Sequence, residues 1–126
     1  MVNVVYADAM FENENARIAY TNMVEEMGHH LSTAPNGQKA LELICQEPTE
    51  TDILFLNLIM PVMKGWQVLM ELKKRGSNLP VVICSEKSEE VIRRGIEFIG
   101  YDYVLGSCSA MTPEELSKYL QRTRSG

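Results

Sequence analysis

A doubly wound α/β fold is what this sequence predicts: one five-stranded parallel sheet with five helices distributed over both faces. Three observations carry that expectation. Short β-branched runs alternate five times with helical patterns along the 126 residues. Residues 52–58, around the uninterrupted apolar run Ile53 to Leu56, have the character of a central strand covered on both sides. No repeat, low-complexity stretch or linker interrupts the alternation. Right-handed crossovers between parallel strands then put helices on both faces of one sheet. A single domain over residues 1–126 follows, large enough to bury roughly two-thirds of its unfolded surface.

Residues 2–6 read as the first strand, with Met1 directly before it in the manner of a native start. Residues 14–27 read as a helix whose Ala16, Tyr20, Met23, Val24 and Met27 share one face, stopped by Gly28. A weak strand around 31–34 leads into the turn signal Pro35-Asn36-Gly37 and a helix burying Ala40, Leu41, Ile44 and Cys45. After the third strand at 52–58 comes a helix near 66–75, ended by Gly76, and a buried strand at 80–85. Residues 89–99 place Ile92, Ile96 and Ile99 at helical spacing before Gly100. The aromatic and β-branched run 101–105 reads as the fifth strand. Thr112-Pro113-Glu114-Glu115 is a capping box with proline at the first helical position, opening a last helix that buries Leu116, Tyr119 and Leu120.

Composition narrows the function classes. Hydrophobic residues at 45% and charged residues at 23% match soluble globular proteins and argue against disorder or a fibrous architecture. The net charge of -5 offers no general field for nucleic acid, so no nucleic-acid partner is expected within this chain. No apolar run approaches the ~20 residues of a membrane span and no signal-peptide pattern opens the chain, so a cytoplasmic location without membrane contact is expected. Cys45, Cys84 and Cys108 lack CxxC or Cys-His metal spacing and are expected to be buried, inert thiols. Cys84 and Cys108 fall at neighbouring strands, which makes redox sensing a secondary reading that spacing cannot decide. His29-His30 is read as a surface pair, since adjacent side chains diverge and no third ligand is visible. Met60, Met63 and Met70 are read as fillers of core gaps, and Trp66 as either an exposed anchor or a lid on the core.

In a sheet of this kind, functional groups gather beyond the carboxyl ends of the strands, near the point where strand order reverses. There the chain resembles the receiver domains of bacterial two-component systems, over essentially its whole length. The residues carrying the resemblance are Leu58-Ile59-Met60-Pro61-Val62-Met63-Lys64-Gly65 after the third strand, Ala34-Pro35-Asn36-Gly37-Gln38-Lys39-Ala40-Leu41 entering the second helix, Leu79-Pro80-Val81-Val82-Ile83-Cys84-Ser85 and Gly100-Tyr101-Asp102-Tyr103-Val104. The resemblance implies a flavodoxin-like fold of receiver type. It also implies a strand-end aspartate that takes a phosphoryl group, two acidic residues that help bind magnesium, a lysine that contacts the phosphoryl group, a hydroxyl residue and an aromatic switch position.

Against that pattern, Asn57 stands at the nucleophile's position, Ala7 at the first acidic position and Gly106 at the lysine's, while Asp8, Ser85 and the switch aromatic Tyr103 remain. A neutral amide oxygen is a poor nucleophile and yields no comparable acyl phosphate. Asp8 alone makes a weak magnesium site, and no other cofactor is expected. Asp8 and Ser85 also admit the plain roles of helix cap and strand-end hydroxyl.

The expected function is therefore that of a degenerate receiver-like signalling module, not an enzyme, acting through phosphorylation-independent protein contacts. The resemblance places those contacts, with a signalling partner or a second copy, on the surface of the fourth helix, fifth strand and fifth helix, where Arg93, Arg94, Glu97, Tyr103, Lys118 and Tyr119 are the candidates. Alternatives are a phosphoacceptor using another residue, with Asp8 the nearest carboxylate, and an engineered Asn57 variant of a working site. The latter predicts that positions 7 and 106 keep acidic and basic residues, which they do not. A further alternative is a flavodoxin-like small-molecule binder, although Ala7-Asp8-Ala9-Met10-Phe11-Glu12 contains no glycine-rich phosphate cradle.

Overall fold

A computed structural model describes residues 1–46 and 50–124. Its five strands are β1 (Asn3–Ala7), β2 (His30–Ala34), β3 (Ile53–Asn57), β4 (Val81–Cys84) and β5 (Val104–Cys108), and its five helices are α1 (Glu14–Glu26), α2 (Gly37–Ile44), α3 (Gly65–Lys74), α4 (Glu89–Ile99) and α5 (Pro113–Arg124). The strands form one parallel sheet in the order β2-β1-β3-β4-β5, so β3 is central and the order reverses between β1 and β3.

Alternation along each strand sorts the core into two layers. Val5, Ala7, Leu54, Leu56, Val81 and Ile83 face α2, α3 and α4, packing on Ala40, Leu41, Val68, Leu69, Leu72, Ile92 and Ile99. Val4, Tyr6, Ile53, Phe55, Val82 and Cys84 face α1 and α5, packing on Val24, Leu116, Tyr119 and Leu120. The doubly wound architecture follows directly from this two-sided burial.

Local chemistry sets the helix ends. Asn13, Asn36 and Ser88 accept backbone N–H groups of Ala16, Lys39 and Val91 as N-caps, and Thr112 accepts from the Glu115 N–H, the N-cap half of the expected capping box. The three glycine stops, Gly28, Gly76 and Gly100, all take positive φ, which side-chain-bearing residues resist.

The fifth strand departs from expectation. It runs Val104–Cys108 rather than 101–105, with Leu105 as an extra residue where the register passes from Val81↔Val104 to Val82↔Gly106. Tyr101 is instead a buried anchor whose hydroxyl donates to the Leu79 carbonyl at 2.7 Å. Several side chains also sit differently from expectation. Cys45 lies at the exposed end of α2, where Arg75 donates to its sulfur, so it is not a core thiol. Met70 points outward from α3, whereas Met60 fills the core. His29 is half-buried and accepts the Val2 N–H on Nδ1, which leaves only His30 as a surface histidine. Trp66 is a lid: its ring closes on Gly95 of α4, where an added Cβ would collide with it.

Candidate functional site

The reversal point brings Asp8 and Asn57 together at the strand ends. Asp8 follows β1 and caps a short 3-10 turn over Ala9–Glu12, accepting the Met10 N–H on Oδ1 at 2.9 Å. Its other oxygen accepts the Asn57 side-chain N–H at 2.8 Å. Asn57, last in β3, accepts the Ile59 N–H on its own amide oxygen at 2.9 Å. The amide orientation is fixed by these two partners, because only the NH2 end can face a carboxylate and only the oxygen can receive Ile59. A charge-assisted hydrogen bond thus joins the two positions where a receiver would set two carboxylates.

Ser85, half-buried just beyond β4, accepts the Lys87 N–H on Oγ and donates its own backbone N–H to the Cys108 carbonyl. Ala7 is fully buried in the layer under α2 and α3, so a carboxylate there would have to be buried with it.

The loop between β3 and α3 walls the site. Its backbone closes on two glycines: a Cβ at Gly37 would strike the Met63 carbonyl, and one at Gly65 the Asn57 carbonyl. At its tip the Met63 N–H donates to the Pro61 carbonyl at 2.7 Å, closing a three-residue turn around Val62 at φ 67°. That region is unfavourable for a β-branched residue, and Val62 is 74% exposed, so little packing offsets the strain. The Val62→Asn variant, whose side chain tolerates left-handed backbone, is expected to be more stable by about 1 kcal/mol. The urea midpoint checks this, and an unchanged or lower value would show that the valine side chain holds the turn. Sequence reading missed this strain, although a valine in the third place of Met-Pro-Val-Met was its visible sign.

Two predicted positions lie elsewhere. Gly106 pairs with Val82, two residues and roughly 7 Å short of the strand end. A Cβ there would meet the Tyr119 hydroxyl, so a side chain at 106 starts toward α5 and not toward Asn57. The residue level with Asn57 and Cys84 is Cys108. Tyr103 precedes β5 at the opposite end of the strands, level with Pro80 and roughly 16 Å along the strand direction from Ser85, with its ring against Tyr101. The one-residue bulge and the later strand start account for both displacements.

Residues 12–120 match the family described as response regulator receiver domain. The chain belongs to that family. Among curated relatives, it is 30% identical over 112 residues to a probable transcriptional regulator, ycf27, of Cyanidium caldarium, covering 87% of this chain and 42% of that protein. The chain spans less than half the length of the curated relatives it matches. Among solved structures, the receiver domain of Francisella response regulator 1452 superposes with a TM-score of 0.76 at 26% identity, covering 100% of both chains. The Vibrio cholerae chemotaxis protein CheY4 superposes with a TM-score of 0.77 at 21% identity over 98% of each, a likeness of fold. As a receiver domain the chain is a signalling domain of two-component type.

On the α4–β5–α5 surface of this receiver domain, Arg93 pairs with Glu97, whereas Arg94, paired with Glu90, lies on the α3 side of α4 beside Trp66 and Met70 and so off that surface. Such exposed pairs contribute little stability and stay available to a partner. Lys118 lies over the Tyr119 ring at 5.1 Å, and Tyr103 is exposed. Tyr119 itself is 2% exposed, packed on Phe55, with its hydroxyl donating to the Ser107 carbonyl, and so is a core residue rather than a contact residue. A groove of about 420 Å³ runs between α4 and α5, floored by Gly106 and Ser107. Phe98 of α4, 90% exposed and off the Ile92/Ile96/Ile99 face, was not among the expected surface residues. Among the described residues no helix is long and apolar enough to cross a membrane.

Proposed function

We propose that this receiver domain signals without accepting a phosphoryl group, through protein contacts made on its α4–β5–α5 surface. One observation carries the reading: the hydrogen bond between the Asn57 amide and the Asp8 carboxylate. It engages the one carboxylate at the strand ends of β1 and β3, and the group that makes it is a neutral amide with no nucleophilic oxygen. Magnesium fits this donor set poorly. The ion asks for near-octahedral oxygen ligation with one or two carboxylates, and Asp8 already accepts on both oxygens while Ala7 offers a buried methyl. The Asn57 amide thus satisfies the Asp8 oxygen that a cation would otherwise neutralise.

Beryllofluoride with magnesium mimics a phosphorylated aspartate and needs the same carboxylate and cation. Backbone NMR resonances of Ile59, Ser85 and Cys108 are expected to stay unmoved on titration with it. Saturable shifts at those amides would overturn the proposal. The surface itself is tested by charge reversal at Arg93 and Lys118 together, which is expected to weaken association with a signalling partner without changing the fold.

A further inference from the structure

Two thiols lie next to the site without taking part in it. Cys84 ends β4 and is fully buried, Cys108 ends β5 and is half-buried, and the two are register partners on adjacent parallel strands. Their sulfurs are 3.8 Å apart. Directly paired residues of a parallel ladder have backbones about 4.8 Å apart, inside the range of Cα separations that disulfides span. Closing the remaining gap asks for side-chain rotation and a small shift at the end of an edge strand, not for rearrangement of the fold.

The two sulfurs are chemically unequal. Cys108 is open to solvent on one side, with Lys118 and Glu115 of α5 acting on it, whereas Cys84 is enclosed beside Tyr6. The hydrogen bond between them and burial push the Cys84 thiol up, and that same hydrogen bond holds Cys108 below the ordinary thiol range. The accessible sulfur is thus the one that reaches thiolate form, and the buried thiol stands ready to resolve it.

We propose that Cys84 and Cys108 are a reversible redox pair, oxidised by peroxides to an intramolecular disulfide at the edge of the Asp8–Asn57 pocket. The Cys108 thiolate attacks the peroxide O–O bond, taking one oxygen as a sulfenic acid while the other leaves, protonated, as water or an alcohol. The Cys84 thiol then attacks the sulfenic sulfur, its proton joins the departing hydroxide as water, and the S–S bond forms. The two thiols lose two electrons and two protons, and the peroxide is reduced by the same two electrons. A small thiol reductant reverses the step by exchange. The bond would lock the last rung of β4 and β5, where the Cys108 carbonyl holds the Ser85 N–H and Cys84 stands opposite Asn57. It therefore gives the receiver an input that needs no phosphoryl group, and it stands whether or not Asn57 blocks phosphorylation.

The test uses the full chain with the exposed Cys45 replaced, Cys45→Ser, treated with hydrogen peroxide, then denatured, alkylated with iodoacetamide and weighed. The expected result is loss of both alkylatable thiols, a mass lower by ~2 Da before alkylation, and full recovery with dithiothreitol. In Cys45→Ser/Cys84→Ser, Cys108 is expected to advance instead to sulfinic acid or to an intermolecular disulfide. Three results would overturn the proposal: both thiols staying alkylatable at peroxide levels that oxidise a cysteine peptide, Cys108 reaching sulfinic acid while Cys84 stays free, or bridging only between molecules.

Discussion

Asn57→Asp is expected to lower the urea midpoint of this receiver at neutral pH without magnesium, with a loss of about 2–3 kcal/mol. The physical cause is local. Nδ2 of Asn57 lies 2.8 Å from a carboxylate oxygen of Asp8, and the substitution replaces that donor with a second acceptor carrying a negative charge. A hydrogen bond to a charged group contributes about 1.5–3 kcal/mol. Two unit charges ~4 Å apart repel by up to about 4 kcal/mol at an effective dielectric of 20, less with relaxation and salt. The Ile59 N–H still finds an oxygen, so the loss falls on the Asp8 side. Adding magnesium is expected to return part of the loss in the variant, since two facing carboxylates recreate an oxygen site, and to leave the wild-type midpoint unmoved. An equal or higher midpoint for the variant without magnesium would show that the Asn57–Asp8 bond does not organise the pocket.

Gly65→Ala should cost about 2–3 kcal/mol, although alanine at the start of a helix normally stabilises by about 0.5–1 kcal/mol. A Cβ at this position meets the Asn57 carbonyl oxygen and lies 2.8 Å from the Leu58 Cα, both of them backbone atoms at the end of the central strand. Backbone there cannot swing aside as a flexible side chain can. The Gly65 N–H also donates to the Leu58 carbonyl at 3.0 Å, so the close approach and the hydrogen bond fail together. Exchange protection of the Ile59 amide should fall in the same variant. A midpoint within experimental error of wild type would mean that the loop shifts freely and that glycine is not what holds the site in shape.

Much of this architecture was legible in the sequence because burial writes itself into pattern. The unbroken apolar run of β3 announced a strand covered on both faces, and Ile92, Ile96 and Ile99 announced the inner face of α4. The resemblance to receiver domains placed Asp8 and Asn57 at the strand ends, and the structure brings them into contact. The hydrogen bond between them was not legible, since it depends on an amide rotamer that only the Ile59 and Asp8 partners define. The fifth strand misled for an identifiable reason. Tyr101 and Tyr103 have high β propensity, yet Tyr101 is held by the Leu79 carbonyl, and the ladder is built from Val104 to Cys108, with Gly106 and Ser107 pairing through their backbones. The bulge at Leu105 set Gly106 back by one rung and the later strand start left Tyr103 before β5, away from the roles the resemblance implied. Tyr119 was read both as core and as surface, and burial decides for core.

How this receiver signals depends on whether position 57 and its neighbours can take a phosphoryl group. The most direct measurement is the intact mass of the wild-type chain after prolonged exposure to acetyl phosphate and magnesium, read beside an active receiver treated in parallel. The expected spectrum shows the unmodified mass alone, because Asn57 has no nucleophilic oxygen and the Asp8 carboxylate is already bound on both oxygens. A stable phosphoryl adduct that maps to Asp8, or to any other residue of the pocket, would contradict the claim that this receiver works without phosphorylation.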